Sequence, residues 1–272
     1  MMDIKGDNDI VINFNTKNRK RQNILKGKVA LITGAGRRIG RAIAIALAKE
    51  GMHIIVHDRP ENEGMTIGVC KAIAKQGSKS WSILADLERP EQYTTLISRA
   101  IETAGSLQVL INNASLFQPG SLRDAEFHDL MQHIQVNSWT PLVLSRDFAR
   151  QAKRGSIINF LDTKIIGYDR NHFAYQLSKQ MFSSITKMCA LEFSPHITVN
   201  GVAPGLILPP EGKNTEYLRL LAKNLPLGHQ GGLQDITDVV LYLLKSDFVT
   251  GQIIYVDGGW HLLEKLHGSH YN

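Results

Sequence analysis

From residue 28 onward, short runs of apolar residues alternate with longer stretches in which apolar residues return every three or four positions. Runs at 28–33, 53–57 and 80–84 read as strands, and the patterns at 39–50, 61–75 and 91–104 read as helices. The alternation continues with a strand at 107–111, a helix near 124–150, a strand at 155–161, a helix near 173–193 and a strand at 197–201. A looser segment, 204–232, holds Pro204, Pro209, Pro210 and Pro226 among five glycines, and is followed by a helix near 235–244 and a last strand at 252–256. The strand runs are apolar on both faces, as parallel strands covered by helices must be. The expected fold is therefore α/β, one domain with a doubly wound parallel sheet flanked by helices. Because sheet-forming sequence resumes after 232, the Pro/Gly segment is expected to be a substrate-covering loop and not a linker.

At 272 residues and 43% hydrophobic, the chain can bury the core of one such domain. Cys70 and Cys189 are far apart, and neither they nor His172, His229 and His261 have metal-ligand spacing, so no metal site and no disulfide framework is expected. No stretch of about 18 apolar residues occurs, and residues 1–25 lack a continuous apolar segment. A cytoplasmic protein without a membrane partner is the expectation. The net charge is +6, but seven cations against three anions in residues 1–28 carry four of those charges. That concentration predicts a poorly ordered basic tail at 1–24 ahead of a folded domain at 25–272, and it disfavours nucleic acid as a partner of the domain. An RNA contact made by the tail stays open as an alternative.

The first strand runs into Thr33 and then a turn with Gly34, Gly36 and Gly40, after which a strongly helical run begins. Strand, glycine turn and helix in that order form a Rossmann-type dinucleotide site, in which backbone N–H groups at the helix start face a pyrophosphate. Asp58, ending the second strand, stands where a carboxylate commonly holds a ribose diol, which favours NADH. Arg37, Arg38 and Arg59 are guanidinium groups suited to a 2′-phosphate, and together they tip the expectation to NADPH. The competing reading of Arg59 is a surface cation paired with Asp58.

Tyr175 and Lys179 stand four apart in a helical pattern and so share a face, and Asp162 lies thirteen residues upstream at the end of a strand run. A lysine charge beside a phenol lowers the phenol's pKa and a carboxylate raises it, so the three are expected to titrate as a coupled unit that can pass a proton. The trio points to a reductase with an unusual proton donor.

With these motifs in place, residues from about 27 to 262 resemble the short-chain dehydrogenase/reductase family. The resemblance is carried by Thr33 to Gly40, Asp86-Leu87, Asn112 to Ala114, Asn137, Tyr175 to Lys179, Asn200 to Gly205 and Asp257 to Gly259. It implies that Asp86 and Leu87 meet the adenine, that Asn113, Ala114, Ile39, Pro204 and Gly205 join the cofactor-binding set, and that Tyr175 and Lys179 face the nicotinamide ribose. It also implies a proton-relay role for Asn137, a homotetramer built on the helices near 124–150 and 173–193, and a C-terminal segment near an adjacent subunit.

Three departures narrow the resemblance. Arg38 stands where a glycine is usual, Asp162 replaces the usual serine partner of the tyrosine, and Asn112-Asn113-Ala114 is followed by Ser115, Leu116 and Phe117. Together they resemble the pteridine reductases, nearest to the bacterial dihydromonapterin reductase branch that is regarded as an alternative dihydrofolate reductase. This implies NADPH-dependent reduction of a dihydropterin, with Arg38, Ser115, Phe117, Asp162, Tyr175 and Leu206 as the substrate-binding set and Phe117 stacking on the flat ring. Alternatives are a carbonyl reductase of the same family acting on a ketoacyl or sugar substrate, against which Asp162 speaks, and a cofactor-binding regulator without turnover. Phe117 as a loop aromatic, Ser115 as a turn residue and Asp162 as a turn cap are the plainer readings of those positions.

Overall fold

The computed structural model describes residues 24–210 and 212–263. Strand β1 (Val29–Ile32) is apolar and wholly buried, and its side chains alternate between two cores. Helix α1 (Arg38–Lys49) follows and buries Ile43, Ala44, Leu47 and Ala48 on one stripe. β2 (His53–Asp58), α2 (Glu63–Ala74) and β3 (Ser80–Leu84) complete the first half. The helix expected at 91–104 is two pieces, a single turn at Pro90–Tyr93 and α3 (Leu96–Ala104). Between them the hydroxyls of Thr94 and Thr95 bond back to the carbonyls of Pro90 and Gln92, which competes with a continuous helix.

β4 (Val109–Asn112) opens the second half. The single helix expected near 124–150 is instead α4 (Phe127–Ile134), a π-helical turn (Gln135–Trp139) and α5 (Thr140–Gln151). Pro141 has no N–H to give to the carbonyl four residues back, at Asn137, and the widened turn absorbs the loss. β5 (Gly155–Phe160), the long α6 (Phe173–Glu192) and β6 (Ile197–Pro204) follow. β6 extends past the expected 201 because residues 201–204 pair with β7 (Ile253–Val256). The segment 204–232 is not structureless: α7 (Thr215–Ala222) lies within it, capped by Asn214, with Leu218 and Ala222 buried. α8 (Leu233–Lys245) precedes β7.

All seven strands are parallel, in the order β3-β2-β1-β4-β5-β6-β7. One core holds Leu31, Leu110, Leu144, Phe148, Ile157, Phe182 and Val199 under α3, α5 and α6, and the other holds Ile32, Ile43, Leu47, Val56, Ile111 and Val240 under α1, α2 and α8. The strand order reverses between β1 and β4, which opens a crevice at their carboxyl ends. The expected basic tail lies outside the described residues except for Ile24, which packs against the second core and belongs to the folded unit. Among the described residues no helix is long and apolar enough to cross a membrane.

Candidate active site

At the crevice, the Thr33 hydroxyl ties the two halves of the sheet together. It donates to the Ile111 carbonyl and accepts from the N–H groups of Asn113 and Ala114. The Asn113 amide in turn donates to the carbonyls of Thr33 and Gly34, at 2.9 and 3.0 Å. The turn passes so close to its neighbours that a Cβ on Gly40 would lie 2.3 Å from the Gly34 carbonyl oxygen, and one on Gly34 would lie 2.9 Å from the Ala114 Cα. Arg37 occupies the N-cap of α1 in extended backbone. Arg38 adopts φ +52°, a left-handed value that costs a side-chain-bearing residue about 1 kcal/mol. Its guanidinium crosses to the 204–232 segment and donates to the Pro209 carbonyl at 2.9 Å.

The Asp58 carboxylate is buried beneath this turn. It accepts from the N–H groups of Gly36 and Arg59 and from the Asn62 amide, at 3.0, 2.9 and 2.7 Å. Arg59 meets Asp58 through its backbone, and its exposed guanidinium has no partner among the described residues. Asp86, at the end of β3, holds the Glu88 N–H and an ion pair with Arg89, while buried Leu87 takes the Thr140 hydroxyl on its carbonyl. Gly205 follows the end of β6, where a Cβ would meet Asp257, and Leu206 is half-buried beside it.

On the other side, Tyr175 and Lys179 project from the first turns of α6, both buried. The Tyr175 hydroxyl donates to Oδ2 of Asp162 at 2.7 Å, and Oδ1 of Asp162 accepts the Lys164 N–H at 2.8 Å. Asp162 is thus both the turn cap and the phenol's partner. Lys179 donates to the Phe160 carbonyl at 2.8 Å. Burial lowers its ammonium to about 8, partly offset by the charge of Asp162. Burial raises the Tyr175 phenol well above its ordinary value, and the charge and hydrogen bond of Asp162 add to the rise. The lowering expected from Lys179 does not prevail, because desolvation and the nearer carboxylate outweigh it.

Asn137, in the π-turn, makes no side-chain hydrogen bond to Tyr175 or Lys179 among the described residues. Its amide donates to the Leu116 carbonyl and the Ser178 hydroxyl, both at 2.9 Å, and its carbonyl oxygen accepts from the Leu116 N–H and the Ser115 hydroxyl. It pins the loop after β4 to α6. Phe117, on that loop, stands perpendicular to Tyr175 with centroids 4.7 Å apart and stacks on His172 at 4.3 Å.

Two clusters not anticipated from spacing hold this wall. Asp169 accepts from Lys164 Nζ, from His172 and from the Asn171 N–H; burial alone would raise its carboxyl, yet these partners hold it down to about 2. Asp257, at the end of β7, accepts the Thr163 hydroxyl beside Asp162 as well as the N–H groups of Gly259 and His261. The only sequence signal for it was the Asp257-Gly-Gly259 motif itself.

A family model described as enoyl-(acyl carrier protein) reductase matches residues 34–261. A short-chain dehydrogenase/reductase of Armillaria gallica is 32% identical over 252 residues, 87% of this chain and 97% of the relative. The chain belongs to the short-chain dehydrogenase/reductase family. A trans-4-hydroxycyclohexanecarboxylate dehydrogenase of Sinomonas cyclohexanicum is 31% identical, over 85% of this chain and 92% of the relative. Among solved structures, alternative dihydrofolate reductase 1 (FolM) of Brucella canis complexed with NADP superimposes with a TM-score of 0.82 at 29% identity, covering 88% of this chain and 96% of that one. As a short-chain dehydrogenase/reductase, the protein is an NAD(P)-dependent oxidoreductase acting on a small molecule. Its glycine turn fits the dinucleotide: a Cβ at Gly34, Gly36 or Gly40 would collide with Ala114, Asp58 or the Gly34 carbonyl, so only glycine lets the turn pass this close ahead of α1, whose first N–H groups have no intrahelical partner.

Proposed function

We propose that this short-chain dehydrogenase/reductase reduces a dihydropterin of the dihydromonapterin kind to the tetrahydropterin with NADPH, and acts more weakly on dihydrofolate. The observation that carries the reading is the 2.7 Å bond from Tyr175 to Asp162, an aspartate where the family commonly has serine. The likeness to FolM of Brucella canis supports it. The pyrophosphate would rest on Gly34, Gly36, Ile39 and Gly40, with Arg37, Arg38 and Arg59 toward the 2′-phosphate, Asp86 and Leu87 toward the adenine, and Asn113, Ala114, Pro204 and Gly205 along the nicotinamide half. NADPH is favoured because Asp58 is buried and its oxygens already accept three bonds, while Arg59 is exposed and unpaired among the described residues. When bound, the nicotinamide supplies the hydride.

The chain's own residues supply the proton. Reduction of a C=N bond leaves a nitrogen that must be protonated, and Tyr175 is protonated at neutral pH because its phenol is raised. The phenoxide left by that transfer must be reprotonated before the next turnover. Asp162, whose Oδ2 accepts the phenol hydroxyl at 2.7 Å, stands on the path by which solvent would return that proton. Serine could only hydrogen-bond there, whereas a carboxylate can also pass a proton to or from solvent. Lys179, a buried cation over the Tyr175 ring, would hold the ribose hydroxyls. Phe117 would stack on the pterin, Ser115 and Leu206 would meet its edge, and Arg38 has donors enough to hold Pro209 and a ligand together.

A second reading, oxidoreduction at an alcohol or carbonyl carbon, is favoured by the Sinomonas relative. Steady-state oxidation of NADPH and NADH with dihydromonapterin, dihydrobiopterin, dihydrofolate and a ketoacyl ester separates the two. Pterin turnover with NADPH supports the first reading, ketoester turnover alone supports the second, and cofactor binding without any turnover would leave a regulator. We also propose a cytoplasmic homotetramer, in keeping with the apolar side chains of Trp139, Met181, Met188 and Leu191 left exposed between the π-turn and the end of α6.

A further inference from the structure

Phe117 is 52% exposed on a loop, a setting in which an aromatic side chain is ordinarily free to turn. Here it is not free. One side of the ring is covered by the imidazole of His172, nearly parallel at 16° and 4.3 Å between centroids. His172 is itself fixed from several directions. On either side of it, the Gly120 N–H donates to the Asn171 carbonyl at 2.8 Å and the Phe173 N–H donates to the Gly120 carbonyl at 3.0 Å, so the backbone is stapled to the loop that carries Phe117. Its Nδ1 lies 2.9 Å from Oδ2 of Asp169. The Asp169 N–H donates to the Gln176 side chain, one residue past Tyr175, at 2.6 Å. A continuous path of fixed groups thus runs from the catalytic face of α6 through Asp169 and His172 to Phe117.

We propose that His172 is a positioning residue, whose stacked ring sets the orientation of Phe117 and with it the wall against which a flat heteroaromatic substrate lies. The inference rests on the pterin reading of the site. Its effect should fall on substrate binding and not on proton transfer, because His172 touches neither Asp162 nor the Tyr175 hydroxyl among the bonds described.

The test is steady-state kinetics of His172→Ala and His172→Phe with NADPH and dihydrobiopterin. His172→Ala should raise KM about three- to tenfold with kcat within about twofold, the span of one aromatic pair. His172→Phe keeps a flat ring without the Asp169 bond and should recover most of that loss. An unchanged KM in His172→Ala, or no difference between the two variants, overturns the proposal. So does a lowered KM, which would mean that the imidazole fills the substrate's own place. If the wild-type enzyme turns over no dihydropterin, the functional reading fails separately, and the wall is read by NMR: the His172 ring protons, shifted upfield by Phe117, should move downfield in Phe117→Leu. Unmoved resonances would overturn it.

Discussion

Burial acts in opposite directions on the two side chains that α6 presents to the site. It raises the Tyr175 phenol and lowers the Lys179 ammonium to about 8. The unfolded chain keeps a lysine protonated up to about pH 10.4, so between pH 8 and that value the unfolded state binds more protons and stability rises with pH. Below that window the buried charge costs stability in full. Lys179→Met is therefore expected to unfold at higher temperature than the wild type at pH 7, by the equivalent of about 1 to 3 kcal/mol, while losing turnover. The gap should narrow at pH 9, which thermal melts at the two pH values would show; a gap independent of pH would mean that the charge is not its source. His57 behaves likewise on the acid side, since burial lowers its pKa to about 4 and Nδ1 has no partner. Stability should fall as pH drops from about 6.5 toward 4, and His57→Leu should flatten that slope in urea titrations. Tyr175 and Lys179 were legible at this scale because a four-residue spacing fixes a shared face, and Asp162 because it closes the strand run that precedes them. The stacking of His172 on Phe117 was not, since it depends on how two loops meet.

The elements were legible to within a few residues wherever an apolar period met helix or strand length, as in β1, β2, β3 and α6. Legibility failed where a local chemical event interrupts a pattern that the sequence continues. The 3.6-residue period runs through 124–150, yet Pro141 and the four-way bonding of Asn137 open a π-turn in its middle. α7 was hidden because flanking prolines and glycines dominate its short amphipathic stretch. Asn137 joins three elements, the loop after β4, the π-turn and α6. Asn137→Ala should destabilise the protein by about 2 to 3 kcal/mol, because it leaves partially buried groups on Leu116 and Ser178 unpaired, and urea unfolding would measure it. A loss under about 0.5 kcal/mol would show that water replaces the side chain and that the loop does not depend on it.

Across the whole molecule, the reversal of strand order between β1 and β4 decides where the dinucleotide crevice lies, and the α/β alternation of the sequence implied that architecture before any contact was known. The balance of charges around the crevice was less legible, because the sequence could not say that Asp58 would turn inward and leave the Arg59 guanidinium exposed. Arg59→Ala is expected to raise KM for NADPH about tenfold or more and to leave NADH nearly unchanged, since it removes a charge-assisted partner of the 2′-phosphate alone. Equal effects on both cofactors would contradict that assignment. The central claim is that the Asp162–Tyr175 pair delivers the proton for C=N reduction, and the most direct measurement compares wild-type and Asp162→Ser enzymes on dihydromonapterin with NADPH. The account predicts wild-type turnover and a fall in kcat of about a hundredfold or more in the variant, with NADPH binding by fluorescence retained. Full activity in Asp162→Ser, or a wild-type enzyme that reduces only the ketoacyl ester, would contradict it.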